Sequence, residues 1–149
     1  MRILSVSAKS GHELTEKLLK SGYGPTEARA AVEECQRRGY INDALLASDL
    51  TACALDRGSG TRKIRQKLLR KGLDKELIEQ ALEENKDSEP ESARQALAFK
   101  WHSLSRETDP YKKRAKAFRF LAGRGYPAGL ISDLLDEITF GGDEPPDDF

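Results

Sequence analysis

One phrase is written three times in this chain: KLLKSGY at 17–23, KLLRKGL at 67–73 and RFLAGRGY at 119–126. Aligning the glycines Gly22, Gly72 and Gly125, which are 50 and 53 residues apart, brings the apolar positions around them into register. Eight residues before each glycine stand Leu14, Ile64 and Ala117, and four before stand Leu18, Leu68 and Leu121. On the other flank come Ala28, Ala31 and Val32, then Ile78, Ala81 and Leu82, then Ile131, Leu134 and Leu135. Both flanks step by three and four, the period of one helix face. Each copy is therefore a helix, a glycine turn and a second helix. The glycine is needed because the residue just past a helix end often takes a positive φ, which costs a residue with a Cβ about 1 kcal/mol. The apolar residue that follows it (Tyr23, Leu73, Tyr126) is placed to fold back on the last turn.

Start signals agree. Ser10 and Glu13 form a capping box, Thr26 and Asp74 read as N-caps, and Pro127 opens a helix. Longer helical patterns run between the pairs, over 43–57 (Ala44, Leu45, Ala47, Leu50, Ala54) and 91–106 (Ala93, Ala96, Leu97, Trp101, Leu104). The unit thus has three helices, and the chain reads as 1–40 with a short first helix, 41–87 and 88–140. No stretch alternates like a strand, so the class is all-α. A lone unit of about 45 residues buries little apolar surface, so tandem three-helix repeats are expected to stack into an elongated, curved array. The Gly, Pro and Asp stretch at 141–149, GGDEPPDDF, has no periodicity and reads as a disordered acidic tail.

The formal net charge of zero hides an asymmetry. Positions 133–149 carry seven acids and no Lys or Arg, which leaves positions 1–132 at +7. A basic body favours a polyanion or an acidic protein face as partner. No apolar run approaches eighteen residues and the first residues lack a secretory pattern, so a cytoplasmic protein is expected. Cys35 and Cys53 have no CxxC spacing and no histidine beside them in sequence, which reads as two reduced thiols and no metal.

Little here calls for catalysis or a cofactor. His12 and His102 lie far apart in polar helical contexts. The stretch GSGTRK at 58–63 suggests a phosphate loop but lacks the GxxxxGK[ST] spacing, and reads as one helix ending and the next beginning. Trp101, Phe118 and Phe120 sit at helical spacing and read as core, with a base-stacking platform the lesser alternative. The charges sort by helix. The helix before the second glycine carries Arg62, Lys63, Arg65, Lys67, Arg70 and Lys71, and the one before the third carries Lys112, Lys113, Arg114, Lys116 and Arg119. Helical geometry makes Lys63, Lys67, Arg70 and Lys71 one stripe, and Lys112, Lys116 and Arg119 another. The helices after those glycines are acidic, with Glu76, Glu79, Glu83 and Glu84, and with Asp133, Asp136 and Glu137. Helix-dipole complementarity accounts for Arg70, Lys71 and Glu76, but not for Glu83 and Glu84 or for two equivalent basic stripes. A helix-turn-helix reading the major groove is disfavoured, because its second helix would bring four glutamates to the phosphates.

Three segments give the chain a resemblance to the RecX family, regulators of the RecA recombinase: GYINDALLA at 39–47, GTRKIRQKLLRKGL at 60–73 and KAFRFLAGRGY at 116–126. The likeness runs over about residues 2–138, and the middle segment is its most specific part. The chain departs from the family in placing Leu46 where an aromatic is usual, and in the short segment MRILSVSA where the first helix is often longer. The resemblance implies three tandem three-helix repeats in a monomer that binds RecA filaments on single-stranded DNA. It implies too that the protein lies in the filament groove, blocks ATP hydrolysis and strand exchange, and favours disassembly. The surface expected to meet RecA or DNA comprises Arg62, Lys63, Lys67, Arg70, Lys71, Lys112, Lys116, Arg119 and Arg124. The rival classes are a non-sequence-specific DNA-binding module with no RecA target, and a helical adaptor. Binding to DNA alone should weaken steeply with salt, whereas a filament contact should require RecA.

Overall fold

The structure, a computed structural model, describes residues 9–141. Eight α-helices are found there: α1 (Gly11–Lys20), α2 (Pro25–Arg37), α3 (Asp43–Asp56), α4 (Thr61–Arg70), α5 (Lys75–Glu84), α6 (Glu89–Ser103), α7 (Pro110–Gly123) and α8 (Ala128–Gly141). A 3-10 turn at Lys86–Ser88 leads into α6, and no strand occurs among the described residues. The expected short first helix and the acidic tail from 142 onward lie outside the described residues. The described residues divide into two compact units, 9–51 with 65–84 and 52–64 with 85–141. The boundaries fall inside α3 and α4, so each of these helices serves both units.

The helix ends follow local chemistry. Ser10 accepts a bond on its side chain from the Glu13 amide while the Glu13 carboxylate accepts one from the Ser10 amide, the reciprocal box expected there. Gly22, Gly72 and Gly125 all take positive φ (98°, 83° and 96°), and in each turn the following amide donates to the carbonyl of Leu18, Leu68 or Leu121. Gly39 and Gly58 end α2 and α3 in the same way, with φ of 78° and 81°. The start of α2 differs from expectation. Gly24, not Thr26, is the N-cap, because Pro25 suits the first helical position, where its fixed φ fits and no N–H is needed.

In the first unit Leu14, Val32, Cys35 and Ile41 form a buried cluster with Leu18 packed against it. In the second, Ala93, Leu97, Ala117, Leu121, Ile131 and Leu135 lie at the centre of a larger cluster, and Trp101, Phe118 and Phe120 are partly buried against it. Three expectations fail here. Ala31 is exposed, as are Ala44 and Leu45 on α3, whose inner face is instead Leu46, Ala47, Thr51, Ala54 and Leu55. Apolar residues occur all round α3, so its pattern alone could not select a face. Tyr23 is also exposed, whereas Leu73 and Tyr126 at the matching positions are buried. The Tyr126 hydroxyl lies 2.7 Å from Ser92 Oγ, which itself donates to the Leu55 carbonyl at 2.6 Å. Tyr23 has no comparable side-chain partner among the described residues.

The turns are also joints. In the first unit the Ser10 hydroxyl donates to the Lys71 carbonyl at 2.7 Å, and the Gly11 amide donates to Asp43 at 3.1 Å. In the second, the Gly60 amide donates to the Arg124 carbonyl at 2.8 Å, and the Thr61 amide donates to Glu89 at 2.6 Å. Ser10 and Gly60 both stand twelve residues before their own glycines, and Lys71 and Arg124 both stand one before the next. One joint is therefore made twice: the start of a pre-glycine helix seats on the glycine turn of the following repeat and is capped by an acid from that repeat's long helix.

Candidate nucleic-acid and protein-binding surface

The GSGTRK stretch is the joint of the second unit and not an anion loop. Its helix-start amides are already used: Gly60 on Arg124, Thr61 on Glu89 and Arg62 on the Gly125 carbonyl at 3.0 Å. Three of the four helix-start amides are thus taken, and a phosphate would have to displace them.

The nine residues expected to meet a partner divide into two groups. Four have work inside the fold. Lys71 is half-buried and pairs with Glu13 at 2.9 Å. Burial pushes the Glu13 carboxyl up, but the Ser10 amide and the Lys71 ammonium outweigh it and hold the group below its ordinary range. Arg62 donates to the Ala122 carbonyl at 3.3 Å. Arg124 lies over the Phe120 ring, 5.2 Å from its centre, and its carbonyl receives Gly60. Lys116 pairs with Glu107 at 2.7 Å, and that bond holds the Glu107 carboxyl low.

The other five, Lys63, Lys67, Arg70, Lys112 and Arg119, are exposed, and none is in an ion pair among the described residues. Three of them fall on two surfaces. On α7, Lys112 and Arg119 flank Lys116 on one outward face, as the spacing implied. Lys113 on the same helix turns onto Trp101, 4.2 Å from the ring centre, and Arg114 pairs with Asp136 of α8 at 2.8 Å. In the first unit Arg70 shares a shallow depression of about 360 Å³ with Lys9, Lys17 and Lys20 of the α1 region. Sequence reasoning missed those three lysines, although the glycine register pairs Lys17 with Lys67 and Lys20 with Arg70. Two acids line the same depression: Glu13 pairs with Lys71, and Glu16 lies 3.5 Å from the His12 imidazole.

The acidic helices are tied back in part. Glu79 of α5 accepts from Arg65 at 2.7 Å, and Ser48 donates to Glu84 at 3.3 Å. Cys35 is buried and Cys53 exposed, both as free thiols. Among the described residues no group of three His, Cys, Asp or Glu side chains could hold a metal ion, and no helix is long and apolar enough to cross a membrane.

Comparison with known proteins places this geometry. The family model of the second three-helix domain of RecX matches residues 42–82, and that of the third three-helix domain matches residues 87–135. The regulatory protein RecX of Legionella pneumophila is 32% identical over 140 residues, covering 93% of this chain and 91% of the relative. That of Vibrio parahaemolyticus is 32% identical over 135 residues, covering 91% and 86%. That of Deinococcus radiodurans is 35% identical over 139 residues, covering 93% and 65%. The crystal structure of RecX from Lactobacillus salivarius shares the fold, with a TM-score of 0.85 over 93% of this chain and 91% of that one at 20% identity.

Proposed function

The chain belongs to the RecX family, and from that premise we propose that it regulates RecA by binding RecA filaments on single-stranded DNA. It acts there without catalysis or cofactor, lowering ATP hydrolysis and strand exchange and destabilising the filament, in the setting of DNA repair and SOS control. The repeats that present its surfaces are 1–40, 41–87 and 88–140.

The observation that carries this reading is the split among the basic residues. A merely solvated helix face would have its cations tied to neighbouring acids or scattered. Here α7 carries five basic residues and no acid, and its outermost pair, Lys112 and Arg119, is left unpaired beside cations that serve the fold. A second uncommitted set, Arg70 with Lys9, Lys17 and Lys20, stands in the first unit. Cations that make no ion pair among the described residues suit a surface built to meet anions.

The test is RecA's DNA-dependent ATPase, measured with and without the protein at physiological salt. Inhibition at protein amounts well below those that coat the free DNA supports a filament-directed regulator. Binding to single-stranded DNA with the ATPase untouched would instead leave a sequence-independent DNA-binding module.

A further inference from the structure

The outward face of α7 holds more than charge. Tyr111 is the most exposed large hydrophobic side chain described, at 85%. Its amide donates to the Asp109 cap at 2.9 Å, which fixes the backbone that carries the ring at the start of α7 while the ring itself stands in solvent. Between Tyr111 and the half-buried Phe118 lies a groove of about 480 Å³, floored by Ala115 and edged by Arg114 and Arg119. Seven residues, two helical turns or about 10.5 Å of rise, separate the two aromatics. Each is followed directly by a cation that is in no ion pair among the described residues, Lys112 after Tyr111 and Arg119 after Phe118.

We propose that this groove is a stacking platform for the bases of a single-stranded nucleic acid, with Tyr111 as the principal stacking residue and Lys112 and Arg119 on the flanking phosphates. The inference deepens the nucleic-acid half of the function proposed above and rests on it. A single strand alternates flat apolar bases with anionic phosphates, and this face alternates aromatic with free cation in the same sense. Base stacking on aromatic side chains tolerates any sequence and combines with a basic track along the backbone. An acidic protein segment would satisfy the cations, but it would gain little from a flat aromatic ring left 85% in solvent at the edge of an open groove. The one cation that is neutralised at the groove, Arg114 on Asp136, is the one not next to an aromatic.

The experiment is fluorescence anisotropy of labelled oligo(dT) and of an abasic oligomer of equal length with the full chain, its Tyr111→Ala and Tyr111→Phe variants, and the Lys112→Ala/Arg119→Ala double variant. No RecA is present, so this test can fail or succeed independently of the ATPase assay. Tyr111→Ala should weaken oligo(dT) binding at least about fivefold, the lower end for one stacked base, while Tyr111→Phe stays close to the parent. The parent should prefer oligo(dT) to the abasic strand, and Tyr111→Ala should lose that preference. The double variant should retain the preference and reduce the slope of log affinity against log salt by about 1.4, as expected for two phosphate contacts on a single strand. Equal binding of oligo(dT) by parent and Tyr111→Ala, or equal binding of the two strands by the parent, overturns the proposal and assigns the groove to an acidic protein surface.

Discussion

The Ser10 hydroxyl and the Lys71 carbonyl, 61 positions apart in the chain, are joined at 2.7 Å, while the same Ser10 oxygen accepts from the Glu13 amide at 3.1 Å. One buried side chain thus caps its own helix and fastens that helix to the glycine turn of the next repeat. Ser10→Ala removes both bonds and leaves the Lys71 carbonyl short of a donor. It should cost about 1 to 3 kcal/mol, a cap plus a buried hydrogen bond. Ser21→Ala is the control, since its hydroxyl is exposed and bonds only to the Lys17 carbonyl. Chemical denaturation of the two variants decides it, and equal costs would mean that the joint contributes nothing.

The second joint relies on close approach of backbone to backbone. A Cβ at Gly60 would stand 2.5 Å from the Gly125 carbonyl carbon and 2.6 Å from its oxygen, with no flexible side chain to yield. Gly60→Ala should therefore cost about 3 kcal/mol or more. Gly22 has positive φ, but a Cβ there would meet nothing within 4 Å, so Gly22→Ala should cost only about 1 to 2 kcal/mol of backbone strain. Thermal melts should rank them in that order. The reverse order would show that the turn conformation, and not the seating, limits the repeat.

What could be read from the sequence is what a single helix decides for itself. The glycine register placed Ile64, Leu68, Ile78, Leu121, Ile131 and Leu135 on inner faces, and all are essentially inaccessible. The positive φ at Gly22, Gly72 and Gly125 followed from the same alignment. The joint was not legible, because Gly60 is constrained by a turn 65 residues away and no local pattern records that. The face of α3 failed for want of periodicity. Among the basic residues, spacing could show that Lys71 and Lys116 lie on stripes, but not that Glu13 and Glu107 would claim them. Tyr111 went unremarked because a tyrosine at a helix start signals nothing until its ring is seen in solvent.

Leu68→Ala tests the register itself. Leu68 is 0% exposed and has counterparts at Leu18 and Leu121. Its truncation should cost about 2 to 5 kcal/mol by denaturant unfolding. A cost under about 0.5 kcal/mol, typical of surface substitutions, would break the alignment on which the repeat rests.

The Glu13–Lys71 pair gives the first joint a pH dependence. The folded-state pKa of Glu13 is depressed below its ordinary 4.5, so its contribution is present above that value and is lost as pH falls through the lower folded value. Asp43 works in the opposite sense. Burial, opposed by the Gly11 amide and reinforced by Asp74 and Glu13, raises its pKa, so its ionised form costs stability that is relieved as pH falls through the raised value. Glu13→Gln should be less stable than the parent at pH 7, and the gap should close as the pH is lowered through the acid limb. A gap that stays constant from neutral pH down to about 3 would mean the carboxylate charge is irrelevant to the joint.

The functional prediction with most at stake concerns the outer face of α7. Reversing Lys112, Lys116 and Arg119 to Glu should leave helical content nearly unchanged, since all three are exposed and the apolar anchors Ala117 and Leu121 point the other way. Loss of the Lys116–Glu107 pair adds little, because a solvent-screened surface ion pair contributes little to stability. Inhibition of RecA should nevertheless fall at least tenfold, equivalent to about 1.4 kcal/mol of binding. The matching control reverses Glu79, Glu83 and Glu84 to Lys, which alters charge by the same amount on an acidic helix. If the α7 variant inhibits the RecA ATPase as well as the parent at physiological salt, the free cations of that helix are only a solvated face. The anion-facing role would then pass to Arg70, Lys9, Lys17 and Lys20, where the same reversal should be tried.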